Sequence, residues 1–279
     1  ATKRTSYTAT PVHTGPNSLV IGGVIALVLG LLSIAPPIQT IVKRSIASVA
    51  KAPAAPIPHV DPNTLAPGTI QEPPIGDDPW PPVPMTQDKV GTFSIGRMLE
   101  VELNGGRRFK ETFIKETITA VRGDIIDSEL VVTDMGGTPV PSAPVTTSQA
   151  TAGGWMYRQS IKNSPEVGDA SISYIGDPAQ IFPLRKDKVV RFDMLVKLSR
   201  LESGFRQRKY CKTLDRKSVV TAAGRFNAVQ FNCYEIGSDL PPDEFYFSPE
   251  INWSIRNRRF RRGLKPGDKP VETIWELQK

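Results

Sequence analysis

From Met98 onward, apolar and polar residues alternate along the chain. Met98–Leu103 reads MLEVEL, the turn-forming Asn104-Gly105-Gly106 follows, and Phe109–Val121 (FKETFIKETITAV) alternates again. Arg122-Gly123-Asp124 makes a second turn before Ile125–Thr133 (IIDSELVVT). A two-residue period belongs to a strand with one face in a core, and Gly at the turns supplies positive φ. Arg122-Gly123-Asp124 is therefore read as a hairpin turn and not as an adhesion motif. Asp134–Gly154, rich in Gly, Pro, Ser and Thr, is read as a long loop. Strands resume over 155–161, 171–175, 188–199, 205–213, 218–222, 226–236, 244–247, 251–260 and 271–277, and no helical stripe exceeds two turns. The pattern predicts a mainly β protein whose residues 90–279 form one antiparallel domain: a curved sheet, a sandwich or a half-open barrel.

The N-terminal third is built differently. Ser18–Ala35 (SLVIGGVIALVLGLLSIA) is apolar and uncharged, and with the residues up to Val42 it is long enough for one transmembrane helix. A polar tail (1–17) precedes it. Ala35 stands before Pro36, a poor cleavage context, so the segment reads as an uncleaved signal-anchor. Residues 43–89 form an extended linker, and thirteen prolines fall between positions 36 and 90. A stiff spacer between a membrane anchor and a β-domain suits a bacterial inner-membrane protein with a cytoplasmic N-terminus and a periplasmic C-terminal domain. Gly22, Ala26 and Gly30 recur every four residues, a spacing that would let a second helix pack closely in lipid.

Chemistry is narrowly bounded. His13 and His59 both precede the domain, which excludes imidazole-based catalysis or metal binding within it. There is no phosphate-binding glycine loop or haem-attachment motif. Glu100/Glu102 and Glu111/Glu116 are carboxylate pairs; Glu100 and Glu102 share one strand face by parity and are read as a solvated edge and not as a catalytic dyad. No enzyme, cofactor or metal is expected. Cys211 and Cys233 lie on adjacent candidate strands and would pair in an oxidising compartment. Most of the net charge of +7 lies after Val90, and Arg256, Arg258, Arg259, Arg261 and Arg262 crowd into seven residues. On that exposed stripe, Arg256, Arg258, Arg261 and Arg262 are the candidate contacts for a partner or an anionic lipid headgroup. Nucleic acid is not expected.

Three segments carry a family likeness. Ser218–Phe226 (SVVTAAGRF), continuing through Val229, resembles a strand-turn-strand motif of uncharacterised β-rich envelope domains of proteobacteria. Phe245–Glu250 (FYFSPE) and Pro183-Leu184-Arg185-Lys186-Asp187-Lys188 fit two further segments of those domains. The likeness spans about Phe182–Arg262 and implies an extracytoplasmic β-fold akin to half-barrels, with no activity attached. The sequence thus leads to a non-catalytic accessory or scaffolding subunit of a membrane complex, docking through its helix and β-domain. The alternative is a periplasmic carrier for a lipid or other hydrophobic ligand, which would need a continuous apolar concavity of roughly 300 Å³ or more.

Overall fold

The computed structural model describes residues 60–279, apart from 75, 77, 87–88, 104–105, 152–157, 166–167, 200–203 and 263–268. Contacts divide the chain into two units, Ala1–Ile57 and Pro58–Lys279, and the described residues all belong to the second. The expected tail and transmembrane helix, with Gly22, Ala26 and Gly30, lie outside the described residues. Among the described residues no helix is long and apolar enough to cross a membrane.

Thirteen strands are described: β1 (Ile70–Gln71), β2 (Phe93–Glu102), β3 (Arg108–Arg122), β4 (Ile125–Thr133), β5 (Thr146–Thr151), β6 (Ser160–Ser164), β7 (Gly168–Ile175), β8 (Val189–Leu198), β9 (Phe205–Thr221), β10 (Gly224–Glu235), β11 (Asp243–Ser248), β12 (Trp253–Arg261) and β13 (Val271–Leu277). β2 to β12 follow one another as neighbours, all antiparallel. β13 lies between β12 and β2 and closes the circle into a twelve-stranded barrel. Closure decides among the three architectures that the alternation allowed, because pairing runs unbroken round the cylinder and is not half-open. The short β1 joins β8 beside Val189 and Val190, beyond the residues that β7 occupies.

The interior follows from register, since directly opposed residues share a face. Phe245, Asn257, Trp275, Met98 and Thr112 form one such row across β11, β12, β13, β2 and β3. Phe245 also faces Phe231, Cys233 faces Cys211, and Cys211 faces Val190. Phe192, Phe231, Phe245, Phe247, Val190 and Cys211 are fully buried on this face. Hence it lines the lumen. Twelve strands enclose more space than eight, whose interior side chains just fill it.

The aromatic cluster fills the lumen on the side of β7 to β11. Its floor comes from two loop segments at one end of the barrel. In the β7–β8 connection, Ile181 and Leu184 are fully buried, and Val83 pairs with Leu184 through two backbone hydrogen bonds (2.9 and 2.8 Å). Trp80 packs beside them, with the Arg216 guanidinium over its ring at 5.1 Å. Sequence patterning assigned Trp80 and Val83 to the extended linker. The proline-rich backbone there is indeed mostly without ladder partners, but its two large apolar side chains have an interior to enter. At the same end Gly176 (φ +83°) lets Gly68 approach, and a Cβ there would lie 2.5 Å from the Gly68 nitrogen.

Candidate ligand-binding lumen

The opposite side of the lumen, along β2 to β6, β12 and β13, is not filled. At the end where the N-terminal segment joins the barrel, a hollow of about 620 Å³ opens among Phe93, Ala222, Ala223, Phe226, Ile251, Trp253 and Leu277. Ser94, Glu116 and Trp253 also line a cavity of about 210 Å³ further in, which reaches Met98, Ile114, Leu130, Asn257, Arg259, Thr273 and Trp275. That cavity shares Met98, Ile114, Leu130 and Arg158 with a third space of about 190 Å³ toward Lys110, Thr146 and Pro165. The three spaces adjoin through common wall residues and follow the strands into the barrel.

Local sequence accounts for the room. Gly96 on β2 lacks the side chain that would occupy the centre of this wall, and the Trp275 indole lies over it instead. Such an aromatic laid across a strand glycine packs a surface that no side chain of its own strand covers. On β5 the lumen receives Thr146, Ser148 and Ala150, all small, and on β4 Ser128 stands between the larger Ile126 and Leu130. Small side chains leave a hollow where the aromatic half has none.

One buried ion pair sits on this wall. Arg158 donates two hydrogen bonds to Glu116, Nη1 to Oε1 at 2.8 Å and Nη2 to Oε2 at 2.9 Å. The Ser128 hydroxyl also donates to Glu116 (2.8 Å), Ser148 bonds both Ser128 (3.0 Å) and Arg158, and Tyr174 donates to the Arg158 carbonyl (3.1 Å). Burial pushes the Glu116 carboxyl up. The Arg158 charge and its hydrogen bonds, with Ser128, outweigh burial and hold it below the ordinary carboxylate range. Glu116 therefore stays ionised and fully engaged. The Ser94 hydroxyl, between mouth and inner cavity, is buried without a hydrogen-bond partner among the described residues.

The structure redistributes the residues that sequence singled out. Cys211 and Cys233 are directly opposed on the β9–β10 hairpin, disulfide-bonded and buried in the aromatic cluster. Sequence placed a separate short strand between them, whereas β9 runs on to Thr221 through a register shift opposite Gln230. The arginines do not form one face, because strand alternation splits them. Arg256 and Arg258 lie outside, where Arg256 pairs with Glu276 (2.8 Å), and Arg258 with Glu272 (2.7 Å) and Glu244 (3.2 Å). Arg261 turns to Glu100 (2.8 Å), and Arg262 pairs with Asp239. Glu111 and Glu116 likewise part: Glu111 lies outside near Arg97 and Arg108, Glu116 inside. Glu100 and Glu102 share a face, held by Arg261 and Lys269. Sequence gave no signal for Arg158, which meets Glu116 only because β3 to β6 wrap round the lumen.

Fold and site together define a closed antiparallel barrel with a partly open lumen, walled mainly by apolar side chains with a few polar ones among them. Among solved structures it is similar to the hypothetical lipoprotein YmcC of Escherichia coli K12 (12% identity, TM-score 0.37, covering 70% of this chain and 92% of that one). It is also similar to a candidate exported protein with a YmcC-like fold from Bacteroides fragilis (9% identity, TM-score 0.37, 71% and 98%). A third likeness is to a lipoprotein candidate of Parabacteroides distasonis (12% identity, TM-score 0.34, 71% and 96%). No family model matches the chain, and no curated protein matches it in sequence.

Proposed function

We propose that the barrel is a non-catalytic binding module of the bacterial envelope that takes the apolar part of a ligand in through its open end. The observation that carries this is the apolar mouth of about 620 Å³ adjoining the inner cavities. It exceeds the roughly 300 Å³ that separates a carrier from a self-filled scaffold. The Cys211–Cys233 bond supports an oxidising compartment outside the cytoplasm. An apolar anchor at Ser18–Val42 would then keep the barrel at the membrane, where such ligands are found.

The test is native mass spectrometry of the purified full chain, followed by solvent extraction. A bound small amphiphile is expected, and Ala223→Trp, which fills the mouth from the β9–β10 turn, should lose it with little change in melting temperature. A parent that carries no adduct and accepts none from a panel of long-chain amphiphiles overturns the proposal.

A second reading, a subunit of a membrane assembly, is favoured by the apolar residues exposed around the same end: Val90, Phe93, Ile251 and, on the β9–β10 tip, Val220. A partner subunit could cover this rim. Under that reading the chain co-purifies with a fixed partner in mild detergent, and Ala26→Ile/Gly30→Ile or Phe93→Ser/Ile251→Ser releases it. Isolation of the chain alone, under conditions that preserve membrane complexes, would remove this reading.

A further inference from the structure

The open half of the lumen runs from one end of the barrel to the other. β2 begins at the mouth with Phe93, so in the antiparallel meander the β2–β3, β4–β5 and β6–β7 connections lie at the far end. The space of about 190 Å³ lies against those far connections. Its walls include Lys110 and Thr112 near the start of β3, Thr146 at the start of β5, and Ser164 and Pro165 where β6 ends. Pro165 is exposed, so this space reaches solvent away from the mouth. Met98, Ile114, Leu130 and Arg158 join it to the inner cavity, and Ser94, Glu116 and Trp253 join that cavity to the mouth.

Apolar surface outweighs polar surface in all three spaces. The charges that line the two inner ones are already engaged by protein groups. Glu116 and Arg158 hold each other through two hydrogen bonds. The Arg259 guanidinium lies over the Phe245 ring at 5.3 Å, and Lys110 is engaged as well. A charged head drawn inside would have to break one of these contacts, and a charge without a partner is costly in a low-dielectric interior. Among the described residues that line the path, Ser94 alone has a buried side-chain group without a hydrogen-bond partner. One neutral hydroxyl at the neck is a weak anchor for a head group. Length is the more distinctive property. Along β2 the wall passes from the Ser94–Glu116 pair to the Glu100–Lys110 pair. Six residues separate the two, or about 20 Å at 3.3 Å per residue.

We infer that the lumen holds one long, uncharged hydrocarbon chain lengthwise and leaves the head group of that chain in water outside the mouth. The inference rests on the binding role proposed above and names what is recognised: the chain by its length, and not the head by its charge. Burial of apolar surface is non-directional and grows with each methylene removed from water, so affinity climbs with chain length until the path is full. A longer chain leaves through the far opening and gains nothing further.

The test uses the delipidated full chain in an amphipathic polymer. Trp253 and Trp275 line the inner cavity, so chains carrying bromine at mid-length quench tryptophan emission on entry. Fatty acids of increasing length are titrated, with a fatty alcohol and an alkyltrimethylammonium compared at one length. Affinity should rise about fourfold for each added methylene, the value of its burial, and then level off. At equal length the three heads should differ by less than about fivefold, because a head in water gains little from surface charges.

Thr112→Phe, which fills the path near its far end, should level off at a shorter chain while binding the shortest chains as the parent does. If that variant does not fold, Thr146→Phe on β5 is read in the same way. A larger preference among heads overturns the outside head while the binding role stands. Affinity that does not depend on length, or a plateau that the folded variant leaves where it was, overturns the lengthwise seating. Failure of every chain to quench overturns the binding role itself.

Discussion

Replacing Gly96 with Ala tests the packing that shapes the inner wall. An ideal Cβ at residue 96 falls well inside 3.0 Å of three Trp275 indole atoms, Nε1, Cε2 and Cζ2, a separation real Cβ atoms essentially never show. The clash involves a rigid ring and not a flexible chain end, so the indole must tilt off β2. Overpacking of this kind costs about 1–3 kcal/mol. For a domain of this size, that lowers the melting temperature by about 2–12 °C. Calorimetric melting of parent and Gly96→Ala reads the loss, and the tryptophan emission maximum reads the ring's displacement. A double-mutant cycle isolates the cause. Trp275→Leu is destabilising by itself, but Gly96→Ala in that background should be neutral or favourable by about 0.5–1 kcal/mol, because a strand interior prefers Ala to Gly. Equal costs in both backgrounds, or none in the parent, would refute the argument that Gly96 exists to seat the indole.

Three further outcomes are expected. Glu116 titrates below the ordinary carboxylate range in the folded barrel, so its contribution is present above its unfolded value and disappears as pH falls through its folded one. Glu116→Gln should therefore be less stable than the parent at neutral pH and should lose less on acidification below the ordinary range; parallel pH profiles of melting would contradict this. Cys211→Ala/Cys233→Ala should cost about 3 kcal/mol, the cross-link closing a short loop. In the parent neither thiol should alkylate before reduction, and labelling of the unreduced, denatured chain would show that the bond is absent. Arg256→Ala and Arg258→Ala should each shift stability by less than about 1 kcal/mol, because both pairs lie partly in water. A loss of several kcal/mol from either, measured by denaturant titration, would show a cooperative network.

The strands most legible in the sequence are those with one apolar and one polar face. β3, β4 and β10 show the two-residue period over most of their length, and the hairpin at Thr221–Gly224 was visible in its turn residues. β5 was not visible. TTSQAT turns Ser148 and Ala150 toward a lumen that is itself partly polar, so neither face stands out and the segment reads as loop. β9 was read as two strands, 205–213 and 218–222, yet a register shift at Leu214-Asp215 carries the chain through as one strand. The same blindness hid the site. Alternation placed Glu116 on one face of β3, but nothing local distinguishes inside from outside in a barrel whose interior holds charges. Arg158 becomes its partner only through the curvature that wraps β3 to β6 round the lumen. Likewise the arginine cluster was legible as charge but not as ion pairs, since Glu244, Glu272 and Glu276 come from neighbouring strands.

The seam between β2 and β13 has a consequence for how the molecule is made. Every other pair round the cylinder joins strands adjacent in the chain, but this one sets Gly96 against Leu277 and Glu102 against Val271. β2 ends at Glu102 and β13 begins only at Val271, so β2 leaves the ribosome long before the strand that completes the ring. Until then β2 and β12 are bare edges and the channel between them is a trough. Contacts so distant in sequence form slowly, and open edges of this sort recruit other chains. The nascent chain therefore cannot close its ring until β13 is made. Deleting the seven residues of β13 should cost far more than their own contacts, because it converts a cylinder without ends into a sheet with two.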